Sequence, residues 1–124
     1  MIFKLRTSKE TMEIFEELGA SIHLQPFALC KLAIALAIKT PEEIKVTPTN
    51  TEGLELNRQT ITGEYDDIFK ALIIQKENRK ISDDEYFPKL VKAYIDKGAA
   101  LLMAEYKYSN TNFYKHLVEI DKGI

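Results

Sequence analysis

Three cations open the chain: Lys4 and Arg6 in "FKLRT", and Lys9 three residues further on. Lys4 and Arg6 fall on one face of an extended run, because successive side chains of a strand point to opposite sides. Such an array suits phosphate groups, which ammonium and guanidinium ions neutralise without reading any base. Lys31, inside the most apolar segment, is a fourth cation of the same kind. The acids Glu64, Asp66 and Asp67 in "TGEYDD" are oxygen ligands of the sort that hold a divalent cation. They equally suit the first turn of a helix, where the dipole favours negative charge. Arg58 in "LNRQT" has two readings, a pair with Glu64 or an approach to phosphate. Cys30, the only cysteine, lies within an apolar helix and reads as core rather than nucleophile. His23 and His116 stand alone, without a carboxylate or second histidine at metal-ligand spacing. Neither a glycine-rich phosphate loop nor a cysteine cluster is present, so nucleotide hydrolysis and an iron–sulfur centre are not expected. No catalytic residue, metal or cofactor is expected.

The elements that must position these groups follow from the pattern. The chain has 124 residues, 45% hydrophobic and 29% charged, which predicts one globular domain with a core that needs no disulfide. Net charge is −2, so any nucleic-acid contact needs a local basic patch on an acidic body. The N-terminus carries no basic region followed by an apolar block, and "FALCKLAIALAI" is too short to span a bilayer. A cytoplasmic protein without membrane contact is the expectation.

"TSKE" is a capping-box pattern that starts a helix at Thr7 or Ser8, with Met12, Ile14, Phe15 and Leu18 as its apolar stripe and Gly19 as its stop. Pro26 opens a second helix. It is apolar almost all round (Phe27, Leu29, Cys30, Leu32, Ala33, Ile34, Leu36, Ala37 and Ile38), so it must be central. Residues 40–62 are irregular, with "EIKVT" and "LELNRQTIT" as candidate short strands. A third helix follows Gly63, with Tyr65, Ile68, Phe69, Leu72, Ile73 and Lys76 at helical spacing. "SDDE" caps a fourth, whose stripe is Phe87, Leu90, Val91, Tyr94, Ile95, Leu101 and Leu102. Pro88 bends or is tolerated in its first turns, and Gly98 on the stripe permits close helix approach. The tail 106–124 suggests a short helix through Phe113, Leu117 and Ile120. Its aromatics, with Tyr86 and Tyr94, read as packing or assembly contacts, or as a stacking surface for exposed bases.

Strand, capped helix, short connection, buried helix is the order of a ribbon-helix-helix unit. There, the strand pairs with the same strand of a second copy, burying Phe3 and Leu5 and leaving Ile2, Lys4 and Arg6 outside. Residues His23 to Phe27 would then offer free amides to a phosphate. A basic edge strand kept soluble by its charges is the plainer reading. The fold class expected is mainly α with a short N-terminal β-strand: a ribbon-helix-helix-like part (1–39), an irregular connection (40–62), a two-helix part (63–105) and a tail (106–124), in an oligomer.

"LRTSKETMEIFEEL", "QPFALCKLAIALAI", "NRQTITGEYDDIFKALI" and "YIDKGAALL", in that order over residues 3–105, resemble the DndE proteins of bacterial DNA phosphorothioation. The pattern N-R-x-T-x-x-G-E-Y is the most telling part. The resemblance implies a small helical tetramer that binds DNA, favouring nicked duplex, through surface lysines. Its implied partners are a cysteine desulfurase, an iron–sulfur subunit and an ATPase that carry the sulfur chemistry. The matching basic positions are Arg6 and Lys9; Lys4 is added from strand alternation. Where relatives often have a basic residue near the start of the second helix, only His23 and Lys31 are available. The expected DNA-binding residues are therefore Lys4, Arg6, Lys9 and Lys31. Two other functions fit the pattern, a ribbon-helix-helix transcriptional regulator and a scaffold that binds only the other modification subunits.

Overall fold

The computed structural model describes residues 3–46, 50–109 and 117–118. Strand β1 (Lys4–Arg6) leads into α1 (Lys9–Ile22) and α2 (Pro26–Lys39). After an irregular stretch come β2 (Glu55–Asn57), the single turn α3 (Arg58–Ile61) and a 3₁₀ turn (Gly63–Tyr65). Helix α4 (Asp66–Glu77), the turn α5 (Asp83–Glu85), a π-helical turn (Tyr86–Val91) and α6 (Lys92–Ser109) complete the described chain. The fold is mainly helical with one two-stranded antiparallel sheet.

Helix α2 is the central element, as its all-round apolarity requires. Leu29, Cys30, Ala33, Ile34 and Ala37 are fully buried, and its main neighbour is α6. The two helices meet at Gly98, where a Cβ atom would sit 1.8 Å from the Ala33 carbonyl oxygen. The cysteine and alanines of α2 make that approach possible, since a larger side chain there would hold the backbones apart. Phe15, Leu18 and Ile22 of α1 and Tyr94, Ile95, Ala99 and Leu102 of α6 close the same core.

Local signals place most boundaries, with two shifts. The N-cap of α1 is Ser8, whose Oγ accepts the Thr11 amide at 3.1 Å. Thr7 is unavailable for that task because its hydroxyl accepts the Leu54 amide at 2.9 Å and donates to the Ser8 carbonyl. Helix α1 also runs through Gly19 and stops at His23, which takes a left-handed conformation (φ 59°) and donates its amide to the Gly19 carbonyl. Gly19 serves instead as a close-approach position, with a Cβ there 3.1 Å from the Leu24 carbonyl oxygen. Pro88 sits inside the π-helical turn; its missing N–H removes one i→i−4 bond, and the widened turn accommodates the gap.

Strand β1 finds its partner inside the chain. It pairs antiparallel with β2 in the register Lys4 with Asn57, Leu5 with Leu56 and Arg6 with Glu55. The Arg58 amide donates to the Phe3 carbonyl, the Thr7 amide to the Leu54 carbonyl and the Gly53 amide to the Thr7 carbonyl, so this edge is occupied. The second copy expected to supply the ribbon is not needed for it. Leu5 is buried, but against Leu56 of its own chain rather than a second copy, whereas Phe3, expected beside it, is 61% exposed. "EIKVT" forms no strand over its described residues, and Ile2, His116 and most of the tail helix lie outside the described residues. Tyr106 to Ser109 belong to α6.

Candidate nucleic-acid interface

The sheet sorts its side chains by alternation. Leu5 and Thr7 are buried and Lys4 and Arg6 project into solvent. The same alternation on β2 exposes Glu55 and Asn57 beside them. Glu55, which sequence reading missed, lies opposite Arg6 at 4.0 Å, with both side chains about half exposed. Such a surface pair contributes little and leaves Arg6 able to turn to a stronger anion. Lys9 is the exposed first residue of α1, and its amide is held by the Asn50 side chain at 2.7 Å. Asn50 also donates to Glu10, whose carboxyl is held below the ordinary range by that bond. Lys4 and Arg6 therefore share the outer face of β1, and Lys9 is exposed at the start of α1 just beyond the buried Thr7 and Ser8.

Lys31 belongs elsewhere. It is exposed on α2, with its ammonium 5.7 Å from the centre of the Phe27 ring. It borders a depression of about 300 Å³ lined also by Thr60, Gly63, Glu64 and Tyr65. None of the other three candidate cations lines that depression, and Glu64 there opposes a bound phosphate.

The acids at 64–67 do not come together on a cation; Asp66 is taken up by Arg58. The Arg58 guanidinium, 7% exposed, donates to both carboxylate oxygens of Asp66 at 3.1 and 2.6 Å and to Asp83 at 3.0 Å. It lies 5.1 Å from the Tyr86 ring centre and 5.3 Å from that of Phe87. Tyr86 and Thr62 donate their hydroxyls to the same Asp66 oxygen. Bonds to Asp66 raise the Arg58 pKa despite its burial. Burial pushes the Asp66 carboxyl up, but the Arg58 and Thr62 bonds outweigh it and the net shift is downward. Of the two roles read for Arg58, the pair with Glu64 is replaced by pairs with Asp66 and Asp83, and at 7% exposure the guanidinium presents little surface to a phosphate. Asp66 and Asp67 do open α4, as acids suited to a helix start.

That network explains half of the N-R-x-T-x-x-G-E-Y pattern. Asn57 caps α3 by accepting the Gln59 amide, Arg58 locks α4 and α5 together, and Gly63 adopts φ +51°, which a Cβ disfavours. Thr60, Glu64 and Tyr65 face the depression beside Lys31. Cys30 is fully buried, and burial pushes its thiol up to about 12, so the thiolate needed for nucleophilic attack is absent at neutral pH. Among the described residues no helix is by itself long and apolar enough to cross a membrane.

Sequence reading also missed a set of lysines on the other side of the basic run. Lys89, Lys92 and Lys97 share one outer face of the π turn and α6, opposite Lys45. Their spacing is helical, but it is overlaid on the longer apolar stripe of the same segment.

Fold and surface together define a small helical protein built on an internal two-stranded ribbon with basic residues along its outer face. A family profile described as DNA sulphur modification protein DndE matches residues 4–110, and the chain belongs to that family. The crystal structure of DndE from Escherichia coli B7A, described as involved in DNA phosphorothioation modification, superposes with a TM-score of 0.66 at 15% identity. It covers 82% of this chain and 97% of its own. A lysine-for-glycine mutant of DndE gives 0.63 at 17% identity with the same coverage. No curated protein matches the chain in sequence.

Proposed function

We propose that this protein is a non-catalytic, DNA-binding subunit of a cytoplasmic DNA phosphorothioation system. The observation that carries the reading is the exposed run Lys4, Arg6 and Lys9 within the segment matched to the DndE family. Its contacts are to phosphates, so it holds duplex DNA with little sequence preference, and the preference for nicked duplex is the one its family resemblance implies. Sulfur activation and ATP hydrolysis then fall to the partner subunits, in keeping with a thiol buried in the core. The test is the triple change Lys4→Ala, Arg6→Ala, Lys9→Ala. Affinity should fall at least about tenfold, and the salt dependence should weaken by about 2.7 in log–log slope, one 0.9 step per phosphate. Unchanged affinity in a variant with native circular dichroism would remove this site.

The protein acts as a homo-oligomer, a tetramer by its family resemblance, and α4 is the surface that best suits assembly. Tyr65, Ile68 and Leu72 lie along one face and are 57%, 56% and 39% exposed. Their helical periodicity predicted a core, yet of that stripe only Ile73 is buried within the chain. Phe27, 44% exposed, continues the patch past Lys31. Lys31 and Glu64 at its edge make it self-complementary, so a two-fold interface can pair each with the other across the axis. Ile68→Glu with Leu72→Glu should lower the mass seen by light scattering; an unaltered mass would take α4 out of the assembly.

A further inference from the structure

A groove of about 870 Å³ runs between residues 42–46 with Thr51 on one side and the outer face of the π turn and α6 on the other. Its walls carry cations and its lining includes Val46, Pro88, Ala93 and Ala100. Most of the charge is already matched. Asp96 accepts the Lys92 ammonium at 2.7 Å, the Ser8 amide at 3.1 Å and the Thr11 hydroxyl at 2.6 Å. Lys97 reaches Glu42 at 3.3 Å. Lys45 and Lys89 are exposed and make no ion pair within 4 Å among the described residues. Among the described residues, Glu43 is the one acid of the lining left without a cation at that distance.

The groove is also continuous with the basic run. Strand β1 packs on the π turn that carries Lys89. Asp96 ties the groove wall to Ser8 and Thr11 at the start of α1, and Asn50, next to Thr51 of the lining, holds the Lys9 amide. Lys9 thus follows directly on a residue tied to the groove wall, and Lys9, Lys45 and Lys89 are three cations without an ion pair within 4 Å among the described residues, against Glu43.

We propose that this groove binds one strand of DNA as a phosphodiester, with Lys45 and Lys89 on successive phosphates beyond Lys9 and the apolar lining against sugar and base. The proposal rests on the DNA-binding reading and extends its site from the ribbon to α6. Lys45→Ala, Lys89→Ala and Glu43→Gln are compared with Lys80→Ala, an exposed lysine outside the groove, by fluorescence anisotropy of a labelled duplex across a salt series. Each groove lysine change should reduce the slope by about 0.9 and weaken binding severalfold, and Glu43→Gln should tighten it. Groove variants that bind like Lys80→Ala, while the Lys4, Arg6 and Lys9 triple change still abolishes binding, would overturn the groove and leave the proposed function standing. Wild-type protein that binds no duplex would overturn both. Loss of co-purifying partner subunits without loss of DNA affinity would assign the groove to an acidic protein segment, and so against DNA.

Discussion

Alanine at Gly98 should lower the unfolding free energy by about 3 kcal/mol, the upper end of overpacking costs. The added methyl carbon would lie 1.8, 2.3 and 2.7 Å from the oxygen, carbon and Cα of Ala33. These are backbone atoms, so no rotamer change relieves them, and α2 and α6 must separate along the contact that buries most of the core. Alanine's better helix propensity returns only about 1 kcal/mol. Urea unfolding at fixed protein concentration checks this through the midpoint at constant slope. A Gly98→Ala protein as stable as the wild type would mean that the helices do not cross this closely.

Arg58→Ala is the second large effect, about 3 kcal/mol by the measure of a buried pair that loses one partner. Asp66, mostly buried, keeps its charge and its Thr62 and Tyr86 bonds but loses both guanidinium bonds. The pH dependence gives a sharper signature. In the wild type the Asp66 carboxyl is depressed, so its stabilisation is present above the unfolded value of about 3.9 and is lost as pH falls through the folded value. Without Arg58, burial is opposed only by the Thr62 and Tyr86 hydroxyls, so the depression of the same carboxyl shrinks. The stability gap between the two proteins should therefore be widest near neutrality, where the wild-type stabilisation is fully present, and narrow as pH falls below about 4. A gap independent of pH would mean that Arg58 acts through packing on Tyr86 and Phe87 rather than through charge.

Local chemistry made part of this architecture readable. Pro26 and an apolar run interrupted only by Lys31 announce α2, because a helix start and a buried helix both leave marks within a few residues. Gly98 on an apolar stripe announces a close crossing for the same reason. Long-range pairings left no such mark. A three-residue strand is too short to display its partner, so β2 as the mate of β1, and with it Glu55 opposite Arg6, depends on a register set by tertiary packing. Thr7 lost the cap to Ser8 because Leu54, far along the chain, claims its hydroxyl. Alternation did expose Lys4 and Arg6 as expected. Periodicity in α4 found an apolar face, but periodicity reports that a face must be covered and not what covers it. Arg58 was visible as a cation in a polar segment; its burial between two aspartates and two rings arises only when α3, α4 and the π turn converge.

Equilibrium binding of the wild-type protein to intact and nicked duplexes of unrelated sequence, followed across a salt series, addresses the central reading most directly. Binding should be tighter to nicked duplex whatever the sequence, with affinity falling steeply as salt rises, by about 0.9 in log–log slope for each phosphate neutralised. Absence of binding to either duplex at low salt, or affinity indifferent to salt, would contradict it.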